Sequence, residues 1–157
     1  MSKTRDRILM IRHYKEATGA NEIDMHDVAR FAKEQGWPLP EPADPLDLLA
    51  RSFSRAARQD IRRDSETGQP YRGYHAYKLS QGSDQLVFWV DIDEASRKQM
   101  HMSATQRREQ MVGDGLQLTL DIEHWNQINE EDAPIPVDLD LTDDIEWRKN
   151  APSEEED

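Results

Sequence analysis

The first third of the chain repeats apolar residues at the spacing of an α-helix. In residues 4–17 and 25–35 apolar positions recur every three or four residues, which predicts two short amphipathic helices. Gly19 and Gly36 stand where these helices would end. The next segment, residues 37–44, carries three prolines and cannot continue a helix. It is predicted to be a stiff connector.

A third helix is predicted from Pro45 to about residue 64, and it has two opposite faces. Asp44 suits the N-cap position and Pro45 the first helical position. The apolar face consists of Leu49, Phe53, Ala57 and Ile61, and the other face consists of Arg51, Arg55, Arg58 and Arg62. At roughly 100° per residue the arginines lie away from the apolar residues. We therefore expect the apolar face, with Phe53, to be buried and the arginines to be exposed.

The middle of the chain has the composition of a β-hairpin. Residues 74–79 and 86–92 are rich in β-branched and aromatic side chains and are predicted to be two strands. The polar residues 80–84 between them include a glycine and predict the hairpin loop. At the hairpin entrance, residues 68–75 gather tyrosines, an arginine and glycines. This segment is either a phosphate- or base-stacking contact or a simple turn whose tyrosines cover the core.

Helical spacing returns after the second strand. Two helices are predicted, the first capped by Asp93 or Ser96 and the second beginning near Ser103. Residues 104–128 contain apolar residues at helical spacing, although part of this stretch also alternates like a strand. The alternating residues are Leu116, Leu118, Leu120 and Ile122. A helix kinked near its two glycines is the favoured interpretation.

The charge of the chain is concentrated at one end. The formal net charge is −12, yet residues 1–120 hold 18 basic and 18 acidic residues. Residues 121–157 hold 2 basic and 14 acidic residues, so the imbalance lies in the last quarter. The overall acidity therefore does not exclude a nucleic-acid partner for the rest of the chain. Residues 129–157 are predicted to form a flexible acidic tail.

Composition excludes several classes of protein. The absence of cysteine excludes disulfides, cysteine zinc sites and thiol nucleophiles. No apolar run approaches the roughly 18 residues of a membrane span, so no membrane partner is expected. The N-terminus is a poor signal peptide, which predicts a cytoplasmic protein. There is neither a glycine-rich phosphate loop nor a G-x-S-x-G motif, so we expect no enzyme and no cofactor.

The order helix, helix, helix, hairpin over residues 4–92 resembles a winged helix-turn-helix domain. The resemblance implies that the third helix reads a DNA groove and that the loop at residues 80–84 is the wing. The connector at residues 37–44 is longer than the usual turn of such domains. The predicted fold class is mainly α with a small β-hairpin (α+β). The predicted domains are a winged-helix-like domain at 1–92, a helical extension at 93–128 and the acidic tail at 129–157.

Basic residues cluster around the third helix and the hairpin. Between Leu48 and Lys78 there are 7 basic and 3 acidic residues. Guanidinium groups bind phosphates and guanine edges in bidentate fashion, so this cluster predicts a contact with duplex DNA. The predicted contact residues are Arg51, Ser54, Arg55, Arg58, Gln59, Arg62, Arg63, Arg72 and Lys78. The alternatives are a solvated helix face, or a docking surface for the acidic tail or an acidic protein.

The leading hypothesis is a DNA-binding regulatory protein that dimerises through residues 95–128. One alternative is a non-catalytic adaptor that binds protein partners through the winged scaffold or the tail. The tail itself is a solubilising segment, a mimic of nucleic acid, or a strand that joins a partner's sheet. A weaker alternative is a metal-dependent nuclease. Its metal ligands would come from His101, His124, Glu109, Asp114 and Asp121.

Overall fold

The computed structural model describes residues 3–152 of the 157-residue chain. Its helices are α1 (Lys3–Thr18), α2 (Met25–Glu34), α3 (Pro45–Gln59), α4 (Arg97–Ile128) and α5 (Thr142–Asn150). Its strands are β1 (Ile61–Arg63), β2 (Pro70–Arg72), β3 (Tyr74–Gln81) and β4 (Asp84–Asp91). The strands form two antiparallel pairs, β1 with β2 and β3 with β4. The predicted α+β class is therefore confirmed.

The chain divides into two compact units within α3. The first unit ends at Arg51 and the second begins at Ser52. The sequence instead predicted boundaries near residues 92 and 128, and those boundaries stay predictions.

In the first unit, α1 and α2 form the predicted pair of helices. The Asp24 side chain accepts a hydrogen bond of 2.8 Å from the backbone N–H two residues further on and thereby caps α2. Val28 and Ala32 of α2 are buried. The ring of Phe31 meets the ring of Tyr14 edge-on, with 5.6 Å between centroids. The helical spacing of apolar residues therefore identified the face through which α2 meets α1.

Helix α3 ends earlier than predicted, at Gln59. Ile61, Arg62 and Arg63 form β1, which pairs with β2. The Asp64 side chain accepts hydrogen bonds of 2.9 and 2.8 Å from the backbone N–H groups two and three residues further on, and so closes the turn between these strands. The prediction of a helix to residue 64 is wrong, because the strand partner lies beyond this turn and leaves no trace in the helical periodicity.

The apolar face predicted for α3 is largely exposed. Leu49, Phe53 and Ile61 are 52%, 67% and 55% exposed. Ser54 and Ala57 are the half-buried residues of the helix. The prediction that Phe53 is a core residue is therefore wrong. Periodicity defines a face of a helix, but it does not say which face meets the rest of the protein.

The hairpin is tighter than its sequence suggested. β3 and β4 pair along their whole length. The loop predicted over residues 80–84 shrinks to the two residues Gly82 and Ser83. Gly82 has a φ of +60°, which suits the first central position of a type II′ turn. The two strands are therefore longer than predicted.

One long helix replaces the two helices predicted after the hairpin. The Ser96 hydroxyl accepts a hydrogen bond of 3.2 Å from the backbone N–H of Gln99, whose side chain accepts one of 2.9 Å from the backbone N–H of Ser96. From this cap α4 continues unbroken through Ser103, Gly113 and Gly115 for 32 residues. The predicted helix start at Ser103 is wrong. Within residues 3–152 no helix is both long and apolar enough to cross a lipid bilayer.

Helix α4 packs on β3 through small and amide side chains. Ser103 is fully buried and donates a hydrogen bond of 2.9 Å to the backbone oxygen of Ala76. The Gln106 amide accepts a hydrogen bond of 2.8 Å from the backbone N–H of Lys78 and donates one of 2.9 Å to its carbonyl oxygen. These bonds satisfy the edge of β3 that does not pair with β4.

The chain beyond α4 turns back along that helix. The Asn126 side chain accepts a hydrogen bond of 2.9 Å from the backbone N–H of Ile135 and donates one of 3.1 Å to its carbonyl oxygen. The side chain of Leu139 lies beside Gly115, 3.7 Å from where a Cβ would stand. Helix α5 follows. The acidic segment, which was expected to be a flexible tail, thus contacts α4 through Ile135 and Leu139.

Candidate nucleic-acid interface

A cleft of about 870 Å³ lies over one face of the β3–β4 hairpin. Side chains alternate between the two faces of a strand, and the pairing register decides which of them share a face. This face carries Tyr74, Ala76, Lys78 and Ser80 of β3 with Gln85, Val87, Trp89 and Asp91 of β4. All but Asp91 line the cleft, together with residues from the end of α3 and the first half of α4. The cleft therefore has a strand floor and helical walls.

The lining of the cleft is strongly cationic for so acidic a chain. Four basic side chains line it, those of Arg58, Arg72, Lys78 and Arg107. Among the described residues, Glu109 is the one carboxylate that lines it. Within residues 3–152 none of the four cations forms a salt bridge. Their charge is therefore available to an anion that enters the cleft.

An aromatic platform lies among these cations. The guanidinium carbon of Arg58 stands 5.3 Å from the ring centroid of the half-buried Trp89, a cation–π arrangement. On the same face, Val87 is 52% exposed and Tyr74 is 37% exposed. The cleft therefore combines positive charge with flat apolar surface, the two features on which single-stranded nucleic acid is held.

Arg62 lies in a cluster of carboxylates. Its guanidinium donates hydrogen bonds of 2.7 and 3.0 Å to Asp91 and of 2.8 Å to Asp93, and it is paired with Asp60 at 2.9 Å. It also lies over the ring of Tyr74, at 5.3 Å from the centroid. The hydrogen bonds that Arg62 donates to Asp91 and then to Asp93 raise the pKa of Arg62, and the hydrogen bond from Arg62 lowers the pKa of Asp91. This cation is already neutralised by its neighbours.

Gly73 allows the two small sheets to meet around this cluster. A Cβ at Gly73 would stand 2.5 Å from Nε of Arg62 and 2.5 Å from a carboxylate oxygen of Asp60. The backbone N–H of Gly73 donates a hydrogen bond of 2.9 Å to Asp60, and its carbonyl oxygen accepts one of 2.8 Å from Ile92. The close approach requires a residue without a side chain.

Five of the nine predicted DNA-contact residues lie on α3, and one of them, Arg58, also lines the cleft. Arg51 and Arg55 are exposed on this helix. Gln59 is exposed as its last residue, whereas Ser54 is half-buried. Three of the four arginines of the predicted row, Arg51, Arg55 and Arg58, therefore lie on the helix, and Ser54 lies on its more buried side.

The remaining predicted residues separate into two groups. Arg58, Arg72 and Lys78 come together in the cleft. Arg62 and Arg63 lie on β1 instead of the predicted helix. Arg63 donates a hydrogen bond of 3.2 Å to the carbonyl oxygen of a turn glycine, and Arg62 is bound by carboxylates. The structure thus brings three of the nine predicted residues into one concave surface.

The sequence interpretation missed two residues that define the cleft. The sequence interpretation placed Trp89 in a strand but did not say which face of the strand it lies on. Because Trp89 comes two residues after Val87, both side chains lie on the same face of the hairpin. Arg107 was overlooked because its place depends on how α4 packs on β3. His75 also lines the cleft, and its Nε2 lies 2.9 Å from the carbonyl oxygen of Arg72. Only the alternation at Trp89 could have been found from the sequence.

Residues 3–152 contain no group of three or more His, Asp or Glu side chains placed to hold a metal ion. Three carboxylates do converge in the second unit, those of Asp60, Asp91 and Asp93, but they surround the guanidinium of Arg62.

Comparison with known proteins adds no assignment to this geometry. A scan against protein-family models, a search of curated proteins and a search of solved structures each gave no match.

Proposed function

We propose that this chain is a non-catalytic nucleic-acid-binding protein that regulates by contacting duplex DNA through the arginines of α3 and the rim of the cleft. The observation that carries the proposal is a group of four cations around one concave surface, Arg58, Arg72, Lys78 and Arg107, none of which forms a salt bridge with a carboxylate within residues 3–152. Cations left together without partners are what a phosphate backbone requires.

The position of α3 extends this surface. Arg55 is exposed one turn before Arg58 on the same helix, so a backbone that reaches the cleft can also meet α3. The order of three helices and a hairpin supports a winged-helix mode of docking, with the Gly82–Ser83 turn as a short wing. In the winged-helix mode of docking that we propose, the β1–β2 pair and the proline connector are additions to the order of three helices and a hairpin.

The second candidate function is a protein adaptor, which the exposed apolar residues of α3 favour. Leu46, Leu49 and Phe53 are 74%, 52% and 67% exposed. Exposed apolar groups of this size often mark a surface for another protein. Helix α4 similarly exposes Met111 and Leu116, at 55% and 60%, which supports the proposed dimer through residues 95–128.

The test of DNA binding uses neighbouring arginines of α4. Arg107 lines the cleft, whereas the exposed Arg108 does not. We expect Arg107→Ala and Arg72→Ala each to weaken binding to a labelled duplex, and Arg108→Ala to leave it near the wild-type value. Each lost phosphate contact should lower the slope of log K against log salt by about 0.9. Fluorescence anisotropy at several salt concentrations measures both quantities.

Two results would decide against this function. Equal loss of binding in Arg107→Ala and Arg108→Ala would show that only overall charge matters. Failure of the wild-type chain to bind duplex at low salt would favour the adaptor instead. In that case Phe53→Ser should abolish capture of a protein partner, while Arg107→Ala should not.

A further inference from the structure

We propose that the cleft holds an unpaired stretch of nucleic acid, with a base stacked at the Arg58–Trp89 pair and its phosphates at Arg72, Lys78 and Arg107. This inference rests on the proposed nucleic-acid function and names the form of nucleic acid that the site takes. It predicts a protein that recognises DNA where the duplex opens or ends.

The shape of the site favours unpaired bases. In a duplex each base is covered above and below by its neighbours, so its flat face cannot reach a side chain. Trp89 lies on the floor of a concave cleft with walls from α3 and α4. A cleft of about 870 Å³ accepts a few flexible groups but not the full width of a duplex. An unpaired strand can direct one base inward and keep its phosphates at the rim.

The chemistry of the floor suits a nucleobase. Trp89, with Val87 beside it and Tyr74 further along the same face, offers flat apolar surface. The guanidinium of Arg58 stands over the Trp89 ring, and a guanidinium plane stacks on a base as an aromatic ring does. A base can therefore lie on the outer face of Arg58 or take its place on the ring. Both arrangements require the ring of Trp89.

The charges around the platform fit a sugar–phosphate backbone. Arg72 and Lys78 come from β2 and β3, and Arg107 comes from α4, so the cations line more than one wall of the cleft. An acidic peptide would meet the same cations. Its carboxylates would not use the half-buried ring of Trp89, which is why the aromatic floor favours nucleic acid over an acidic protein segment.

The experiment compares two labelled DNAs that differ only at one end. One is a blunt duplex, and the other is the same duplex with a short single-stranded overhang. We expect the overhang to be bound more tightly at equal salt. Trp89→Ala should reduce the preference for the overhang by roughly 5- to 150-fold, the effect of losing one stacked base. Trp89→Phe, which keeps an aromatic ring, should reduce it less.

A matched control separates loss of stacking from loss of folding. Trp147 is 72% exposed and lies outside the cleft, so Trp147→Ala should leave the preference unchanged. Because Trp89 is half-buried, each variant is also checked by thermal unfolding. Tryptophan fluorescence gives a second measurement that needs no destabilising change. The single-stranded oligonucleotide should quench the wild type and Trp147→Phe, and it should quench Trp89→Phe much less.

The outcomes distinguish this inference from the proposed function. If blunt and overhanging duplexes bind equally and quenching persists in Trp89→Phe, the stacking site is wrong while duplex binding stands. If neither DNA binds at low salt, the proposed function fails and this inference fails with it. If oligoglutamate binds in the cleft more tightly than the single strand, the site belongs to an acidic protein partner.

Discussion

Arg62 holds the carboxylate of Asp91 through two hydrogen bonds, one of 2.7 Å from Nη1 to Oδ1 and one of 3.0 Å from Nη2 to Oδ2. The two residues are 29 positions apart in the chain. This bidentate pair joins β1 to the end of β4, two strands that share no backbone pairing. Side-chain contacts therefore add to the backbone hydrogen bonds of Gly73 in holding the small β1–β2 sheet against the hairpin.

Removing this guanidinium should destabilise the protein. Arg62→Met leaves the carboxylates of Asp60, Asp91 and Asp93 facing one another without a cation. We expect a lower melting temperature than in Arg63→Met, because Arg63 makes only one exposed hydrogen bond to a backbone carbonyl. Thermal unfolding of both variants by circular dichroism makes the comparison. Equal melting temperatures in the two variants would show that the cluster contributes nothing to stability.

The effect of Arg62→Met should depend on pH. The guanidinium holds the pKa of Asp91 below its ordinary value of 3.8. Because the folded-state pKa is the lower one, the stability from this pair is present above that ordinary value and is lost as pH falls through the lowered pKa. The gap in melting temperature between wild type and Arg62→Met should therefore narrow below about pH 4. A gap that stays constant down to strongly acidic pH would contradict this account.

Alanine substitutions at two glycines should have opposite signs. Gly73→Ala places a methyl group 2.5 Å from Arg62 and Asp60, so it should destabilise the protein. Gly113 lies inside α4 with no neighbouring atom within 4 Å of its would-be Cβ. Gly113→Ala should therefore stabilise by about 0.5–1 kcal/mol. Urea unfolding of both variants measures the change in the free energy of unfolding. An increase in Gly73→Ala would contradict the close contact of position 73 with Arg62 and Asp60.

Phe53 should contribute little to stability in spite of its size. It is 67% exposed, so we expect Phe53→Ala to change the free energy of unfolding by less than about 0.5 kcal/mol. Ser103 is fully buried against β3, and Ser103→Leu should cost roughly 1–3 kcal/mol through overpacking. Denaturant titration of the two variants shows which of the two positions belongs to the surface and which to the core. A loss at Phe53 that exceeds the loss at Ser103 would mean that the face of α3 is assigned wrongly.

Truncation after Asn129 should lower the melting temperature. The removed segment takes with it the two hydrogen bonds between Asn126 and Ile135 and the one that Gln69 donates to the carbonyl oxygen of Lys149. Its sequence alone, acidic and containing prolines, predicted no loss of stability. A thermal melt of the truncated chain, with Asn126→Ala as a milder comparison, measures the contribution. An unchanged melting temperature would mean that these contacts are too weak to matter.

The same truncation should tighten binding to duplex at low salt. The segment after Asn129 carries 12 acidic and 2 basic residues, which repel phosphate and compete for the basic cleft from within the molecule. Exposed charges are screened beyond about 8 Å at physiological salt, so the difference should shrink as salt rises. Anisotropy titrations of the two chains at low and high salt test this. Weaker binding by the truncated chain would reverse the proposed role of the segment.

Local signals predicted the parts of the fold that local chemistry decides. The helical spacing of apolar residues over positions 25–35, with Gly36 as a stop, was enough to place α2. The end of α3 was not predictable in this way, because β1 forms only when β2 returns to pair with it. The two glycines of α4 lower helix propensity, yet packing on β3 and the Ser96 capping box keep the helix continuous.

The residues of the candidate site also fall into those that local sequence predicted and those that it did not. The arginine spacing of α3 identified Arg55 and Arg58, since both lie on a regular helix. It could not separate Arg62, whose carboxylate partners come from the end of β4 and beyond. The approach of Arg107 to the hairpin follows from how α4 lies on β3, which no single segment encodes.

The Gln106 amide makes the two edges of the hairpin different. Where it bonds both backbone groups of Lys78, a side chain occupies the place of a neighbouring strand. β4, by contrast, pairs with β3 alone among the described strands. A foreign strand would have to displace Gln106 to join at β3 but could add to β4 directly. Growth of this sheet, whether in a specific complex or in aggregation, is therefore directed to the strand that carries Trp89.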